Sequence, residues 1–351
     1  MKPVLFVTGH VPADRAGAFE RLHERVGVEL ALYGGRHLHG APPAAPPATV
    51  PHRFVEQREI GALVRSGGYR AVVAGTGGRV ALPAAWWASR RAGVPFVFWA
   101  ALWRTPRTAA HLAALPLMRS IYRDAGAVVT YGEHVSAYVR RHGATRVFVA
   151  PQAVDNAFWS APGAPRADER FAALFVGRAA PEKGLAVALE AWRLAALDGT
   201  LTLVGDLRAR SPDGVVATGS LAASDLRNFY ASSDVLVVPS VSTRGFIEPW
   251  GLVVNEAMNQ GAAIIASDAV GAAAGGLVRE GRNGLIVRER EPAALAAAMT
   301  ALAADRPRCA ALGAAGRDDV RAYTFDAWAE GFAGALAIAA PQRLRAGSVE
   351  A

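Results

Sequence analysis

Short apolar runs, each followed by a stretch long enough for a helix, pace this chain from end to end. In the first half they are Val4–Val7, Glu29–Tyr33, Ala71–Ala74, Phe96–Trp99, Ala127–Thr130 and Arg146–Val149. In the second half they are Leu174–Val176, Thr202–Val204, Val215–Ala217, Val235–Val238, Ala263–Ala266 and Gly284–Val287. Most read as continuous apolar runs, which mark strands buried on both faces in parallel sheets covered by helices. Strand alternating with helix therefore predicts an α/β fold. A chain of 351 residues exceeds what one core usually serves, so two domains are expected. The boundaries fall at 1–165 and 166–324, with Ala157 to Glu169, containing Pro162, Gly163 and Pro165, as the linker. Pro42 to Pro51 reads as a surface loop. A last helix, about 325–345, carries Tyr323, Phe325, Trp328 and Phe332 at its start; it packs back on the first domain or stays on the second.

Composition excludes several classes. At 52% apolar and 19% charged residues the chain is ordinary for a globular enzyme and far from disordered. The single Cys309 rules out an intramolecular disulfide framework and offers no cysteine metal cluster, as expected for a reducing cytoplasm. The N-terminus runs straight into a strand, so no signal peptide is expected. Apolar density between Val80 and Trp103 is broken by Ser89-Arg90-Arg91 and by the turn at Gly93-Val94-Pro95, against a membrane span.

The densest chemistry lies in Glu248-Pro249-Trp250-Gly251-Leu252-Val253-Val254-Asn255-Glu256-Ala257-Met258, just after the run Asp234 to Ser240. A strand that empties into a polar loop, then a glycine, then a helix builds a ligand site at the strand's carboxyl end. With the helix starting near Leu252, Glu248 sits on the loop and Glu256 in the second turn. A loop carboxylate can accept from two sugar hydroxyls, and the amides of Gly251, Leu252 and Val253 suit a phosphate at a helix N-terminus. A second loop follows Ala172 to Val176: Gly177-Arg178, then Pro181-Glu182-Lys183-Gly184 opening a helix over Leu185 to Leu197. Arg178 and Lys183 could clamp a diphosphate there. Of 38 basic residues only Lys2 and Lys183 are lysines, which singles out Lys183 as a place for a compact ammonium.

These strings, continued through Gly261, Ala263 to Asp268 and Gly281-x-Asn283-Gly284-Leu285-Ile286-Val287, resemble the E-x7-E motif region of the GT-B retaining glycosyltransferases of family 4. The motif-level resemblance covers about residues 170 to 330; in the first half it is one of architecture only. It implies two Rossmann-like domains facing each other across a cleft, the first for the acceptor and the second for a nucleoside diphosphate sugar. It implies transfer with retention to an acceptor hydroxyl, without cofactor or required metal, by a cytoplasmic enzyme that could sit peripherally on the membrane's inner face. Arg178 and Lys183 match the residues that contact the donor pyrophosphate. Glu248 would hold the sugar hydroxyls, Glu256 the ribose, and Val215 to Gly219 would flank the base. Family members carry a glycine pair in the first loop; here Ala16-Gly17 stands there, leaving Gly17 as the remaining donor candidate. A histidine common at the end of a first-domain strand is absent from Trp99 to Trp103. His10, His111 and His134 receive no assigned role. An epimerase or a non-catalytic nucleotide-sugar-binding protein on the same fold remain alternatives; a pyridoxal-phosphate phosphorylase lacks a spare lysine.

Charge is split unevenly, with 20 basic and 9 acidic residues up to Arg166 against 18 and 21 after it. The basic half favours an anionic acceptor or membrane surface, and no nucleic-acid-binding signature accompanies it. Its focus is Arg104, Arg107, His111, Arg119 and Arg123 beside Trp86, Trp87, Trp99 and Trp103, a spacing compatible with one helical stripe that Pro116 disturbs. Such a stripe can face solvent, line the acceptor cleft or rest on lipid headgroups. Gly75-Thr76-Gly77-Gly78-Arg79 approaches a dinucleotide fingerprint, but Val80 occupies the third glycine position, so it reads as a cleft-lining turn without NAD.

Overall fold

The computed structural model describes residues 2–34, 48–164, 168–207 and 213–341. The first part runs β1 (Val4–Thr8), α1 (Ala16–Val26), β2 (Val28–Leu32), β3 (His52–Phe54), α2 (Ile60–Arg65), β4 (Ala71–Gly75), α3 (Ala81–Ala92), β5 (Phe96–Ala100), α4 (Ala109–Asp124), β6 (Ala127–Thr130), α5 (Glu133–Arg141) and β7 (Val147–Val149). After α6 (Asn156–Ser160) come β8 (Phe171–Val176), α7 (Leu185–Ala195), β9 (Gly199–Val204), β10 (Val215–Gly219), α8 (Ala223–Ser232), β11 (Val235–Val238), α9 (Val253–Gln260), β12 (Ala263–Ser267), α10 (Gly271–Ala274) and β13 (Gly284–Val287). Three helices close the chain: α11 (Pro292–Ala304), α12 (Arg306–Val320) and α13 (Phe325–Ala339).

Two parallel sheets result, ordered β3-β2-β1-β4-β5-β6-β7 and β10-β9-β8-β11-β12-β13. Strand order reverses between β1 and β4 in the first sheet and between β8 and β11 in the second. Loops at such a switch point leave in opposite directions and open a crevice at the carboxyl ends of the strands. The alternation of side chains along each strand feeds two cores per sheet. In β1, Leu5 and Val7 join one apolar cluster and Val4 and Phe6 the other. In β8, Ala173 and Phe175 face one side and Leu174 the other.

The last helix belongs to the first sheet's core. Trp328 and Phe332 of α13 are buried against Phe6, Phe19 and Trp99. The Phe325 ring lies over α1 so closely that a Cβ on Gly17 would come within 2.7 Å of it. The chain therefore crosses between the sheets twice.

Three local expectations are corrected. The stretch from Ala157, read as linker, begins inside α6, which Asp155 caps by accepting from the Phe158 amide and which packs on α9; residues 165–167 lie outside the described residues. The arginine stripe is not one helix face, because Thr108 caps α4 and so leaves Arg104 and Arg107 on the preceding loop. The helix runs through Pro116 without interruption. Strand β3 escaped the reading because its three residues are all exposed at a sheet edge. Of Pro42 to Pro51, residues 42–47 lie outside the described residues, as does the end of the expected final helix beyond 341.

Candidate functional site

The loops after β8 and β11 meet at the second sheet's switch point. Pro181 to Lys183 forms a single 3-10 turn, and Gly184 follows at φ +71°. A Cβ on Gly184 would overlap the Pro239 carbonyl oxygen, so only glycine lets this turn lie against the end of β11. The Val241 amide donates to the Glu182 carbonyl (2.9 Å), tying the two loops together. That contact sets Lys183 Nζ in a salt bridge with Glu248 Oε2. Glu248 is buried, at 7% exposure.

Glu248 is also held from the first domain. The Trp103 indole donates to its carbonyl oxygen (3.1 Å). Two further bonds cross the cleft: Arg107 N donates to Arg244 O (2.6 Å), and the His134 ring nitrogen Nε2 lies 3.2 Å from Pro249 O. A carbonyl only accepts, so Nε2 carries the proton there. Burial pushes the His134 pKa below the ordinary histidine value, against the pull of that carbonyl and of Glu133.

Gly251 adopts φ +92° and turns the chain into α9, whose first intrahelical donor is Val254 N to Gly251 O (3.0 Å). No side chain caps this helix. The amides of Gly251, Leu252 and Val253 are therefore the unpartnered group expected at a helix start, with the positive end of the helix dipole behind them. Because α9 begins at Val253, Glu256 lies in its first turn rather than its second. Glu256 is buried and accepts from the Tyr230 hydroxyl (2.7 Å). Burial raises its pKa to about 7; the Tyr230 hydrogen bond lowers it and the charge of Asp14, on the first domain's loop, raises it.

The remaining sequence candidates are spread around this centre. Arg178 is exposed and pairs with Glu182 (3.5 Å) on the rim of the Lys183 loop. Gly219 ends β10 at φ +76°, accepts from Gly205 N (2.9 Å) and has open space where a Cβ would be. Gly17 has a packing role beneath Phe325, and nothing in the geometry places it beside Lys183 or Glu248. His111 donates its backbone amide to the Thr108 cap of α4 (3.3 Å), and its ring Nδ1 lies 2.6 Å from the same hydroxyl. At the Gly75–Arg79 loop, the amides of Val80 and Ala81 are both taken by Gln57 Oε1 (3.0 and 3.1 Å), so this helix start offers no free anion site. Among the described residues no group of acidic, histidine or cysteine side chains is arranged to hold a metal, and no helix is long and apolar enough to cross a membrane.

Sequence reasoning missed the supports of Glu248 and α9. Asn255 is fully buried, accepts from Trp250 Nε1 (2.8 Å) and donates to Gln152 O (3.0 Å), pinning α9 to the segment entering α6. An asparagine in the middle of an otherwise apolar helix face was the available signal.

Residues 170–305 match the family model described as Glycosyl transferases group 1. A Mycobacterium tuberculosis protein (strain CDC 1551 / Oshkosh), named GDP-mannose-dependent alpha-(1-6)-phosphatidylinositol monomannoside mannosyltransferase, is 32% identical over 239 residues. The match covers 59% of this chain and 61% of the relative, so the chain spans about three-fifths of the length of the curated relatives it matches. Among solved structures, Anabaena HepE in complex with UDP and glucose superposes with a TM-score of 0.73 at 17% identity, covering 96% of this chain and 100% of that one. WaaG, a glycosyltransferase involved in lipopolysaccharide biosynthesis, superposes at 0.67 with 14% identity, covering 97% and 100%. At such identities the likeness establishes the fold: two Rossmann-like domains in the GT-B arrangement.

Proposed function

We propose that this chain, whose residues 170–305 match the glycosyl transferases group 1 model, moves a sugar from a nucleoside diphosphate sugar to an acceptor hydroxyl. The observation that carries this reading is the meeting of Lys183 and Glu248 at the switch point, one turn before the uncapped start of α9 and the buried Glu256. The leaving diphosphate gains negative charge as the glycosidic bond breaks, and fixed donors aimed at that charge lower the barrier. Lys183 and the amides of Gly251, Leu252 and Val253 supply them, with Arg178 reaching in from the rim. A diphosphate beside Lys183 competes with Glu248 for the ammonium, which releases the carboxylate to accept from sugar hydroxyls. Glu256, in the first turn of α9, accepts from the ribose. The uncapped amides and Lys183 provide this charge stabilisation without calling on a metal ion.

Retention of anomeric configuration belongs to the same proposal, with the leaving phosphate taking the acceptor's proton. The relatives' names divide between GDP-mannose and UDP with glucose, so both donors belong in the assay. Slow donor hydrolysis followed by NMR should release the sugar first as the donor's own anomer. Lys183→Ala and Glu248→Ala should each lose most turnover while keeping the fold. Wild-type turnover in either variant, or an inverted first product, refutes the corresponding part of the reading.

A further inference from the structure

Four arginines from three separate loops converge beside Glu248, and the donor chemistry above uses none of them. Arg104 and Arg107 follow β5, Arg244 lies between β11 and α9, and Arg290 follows β13. Together with Ile247, the residue before Glu248, they line an interdomain pocket of about 280 Å³. No carboxylate is among its lining residues. The nearest is Glu289, 3.7 Å from Arg104 and 3.8 Å from Arg290, and it is already engaged by the Ser242 hydroxyl (2.6 Å). Burial opposes its ionisation, but the Ser242 bonds and both arginines outweigh that and hold its carboxyl below the ordinary glutamate range. Glu289 thus pairs with two of the four arginines, Arg104 and Arg290.

All four arginines are exposed, and the loops that carry them are tied to one another. The Arg107 amide donates to Arg244 O (2.6 Å), locking the loops of the two domains. Arg290 sits at φ +65°, a backbone region that side-chain-bearing residues adopt rarely, and its guanidinium donates to Ser242 O. Backbone strain at a converging cluster of one charge sign is the mark of a site built for a ligand of the opposite sign. Planar guanidinium forks match phosphate oxygens in pairs.

We propose that this pocket binds a phosphate ester carried by the acceptor, placing the acceptor's hydroxyl toward Glu248. The proposal rests on the glycosyl-transfer reading for the word acceptor, while the anion site stands on its own geometry. Two sources present the same phosphate. A soluble sugar or glycerol phosphate fills the pocket directly. A phospholipid headgroup would do so with its chains toward α4, which follows Arg107 in the chain and exposes Leu112 and Leu117.

The test is calorimetric titration of glycerol 1-phosphate into the full chain saturated with GDP, and separately with UDP, so that the Lys183 loop is already filled. Saturable binding, weakened at least tenfold in Arg107→Gln/Arg244→Gln with melting temperature and nucleotide affinity unchanged, is the expected result; glycerol should not bind. Equal binding by wild type and double variant, or none by either, overturns the pocket. The loop contact is backbone to backbone and survives both substitutions, so Arg244→Glu alone should also weaken binding. Sedimentation with phosphatidylcholine vesicles, with and without phosphatidylinositol, separates the sources. Retention on phosphatidylinositol vesicles that the double variant loses assigns a lipid phosphate; titration without retention assigns a soluble ester. Nucleotide binding without glycerol phosphate binding refutes this pocket and leaves the transfer reading intact. Glycerol phosphate binding without nucleotide refutes the donor reading and leaves an anion site.

Discussion

Replacing Glu256 with glutamine should stabilise the protein at neutral and alkaline pH and flatten its pH dependence. Burial lifts the Glu256 carboxyl from its ordinary 4.5 to about 7, with the Tyr230 bond opposing and Asp14 adding to the rise. The folded chain then holds a proton that the unfolded chain has released, so between about pH 4.5 and 7 the native state binds more protons. Stability must fall as pH rises through that window. The penalty is absent below the unfolded value and complete above the folded one. The separation corresponds to about 3 kcal/mol at 1.36 kcal/mol per pH unit. Glutamine keeps an oxygen for the Tyr230 hydroxyl but brings an amide that needs a partner, which trims the gain to about 1–3 kcal/mol. Urea unfolding followed by tryptophan fluorescence, from about pH 5 to about pH 8, measures both slopes, and contributions common to both proteins cancel in the difference. A variant that is less stable than wild type near pH 8, or equally steep, would refute the reasoning. The same carboxylate reports on function. Ribose hydroxyls donate to its ionised form, so nucleotide affinity should drop toward tenfold per pH unit below about 7 in wild type and not in the variant.

Gly184→Ala and Gly219→Ala make a matched pair, since both glycines have positive φ but only Gly184 lacks room for a Cβ. Gly219→Ala should cost about 1 kcal/mol, whereas Gly184→Ala should cost clearly more and displace Lys183, abolishing nucleotide binding; equal losses in denaturant titrations would contradict the packing argument. Trp328→Ala removes the centre of the aromatic cluster joining α13 to β1 and β5, at about 3–5 kcal/mol. Limited proteolysis should then release the C-terminal helix first, and an unchanged cleavage pattern would deny its anchoring role.

The fold was legible because strands buried on both faces leave continuous apolar runs, as in Val235–Val238 and Ala263–Ala266. Where burial fails, so does the signal: His52–Phe54 forms an exposed edge strand with no apolar pattern. Helix starts set by a single side chain were harder, as the caps at Thr108 and Asp155 redraw a stripe and a linker. The positions of Lys183, Glu248, Gly251 and Glu256 could be read because each lies within one strand–loop–helix segment of known direction. The arginine pocket could not, because its loops follow β5, β11 and β13 and meet only through topology. Nor could the Lys183–Glu248 pair, which joins residues 65 positions apart.

Whether a nucleotide sugar binds at Lys183 and Glu248 is best decided by thermal unfolding of the full chain with GDP-mannose and with UDP-glucose, alongside Lys183→Ala and Glu248→Ala. A donor at about a hundred times its dissociation constant adds about 2.7 kcal/mol, a readily visible rise in melting temperature. The account predicts that rise for wild type with at least one donor, and its loss in both variants relative to their own unliganded baselines. No rise with either donor, or an undiminished rise in both variants, would contradict it.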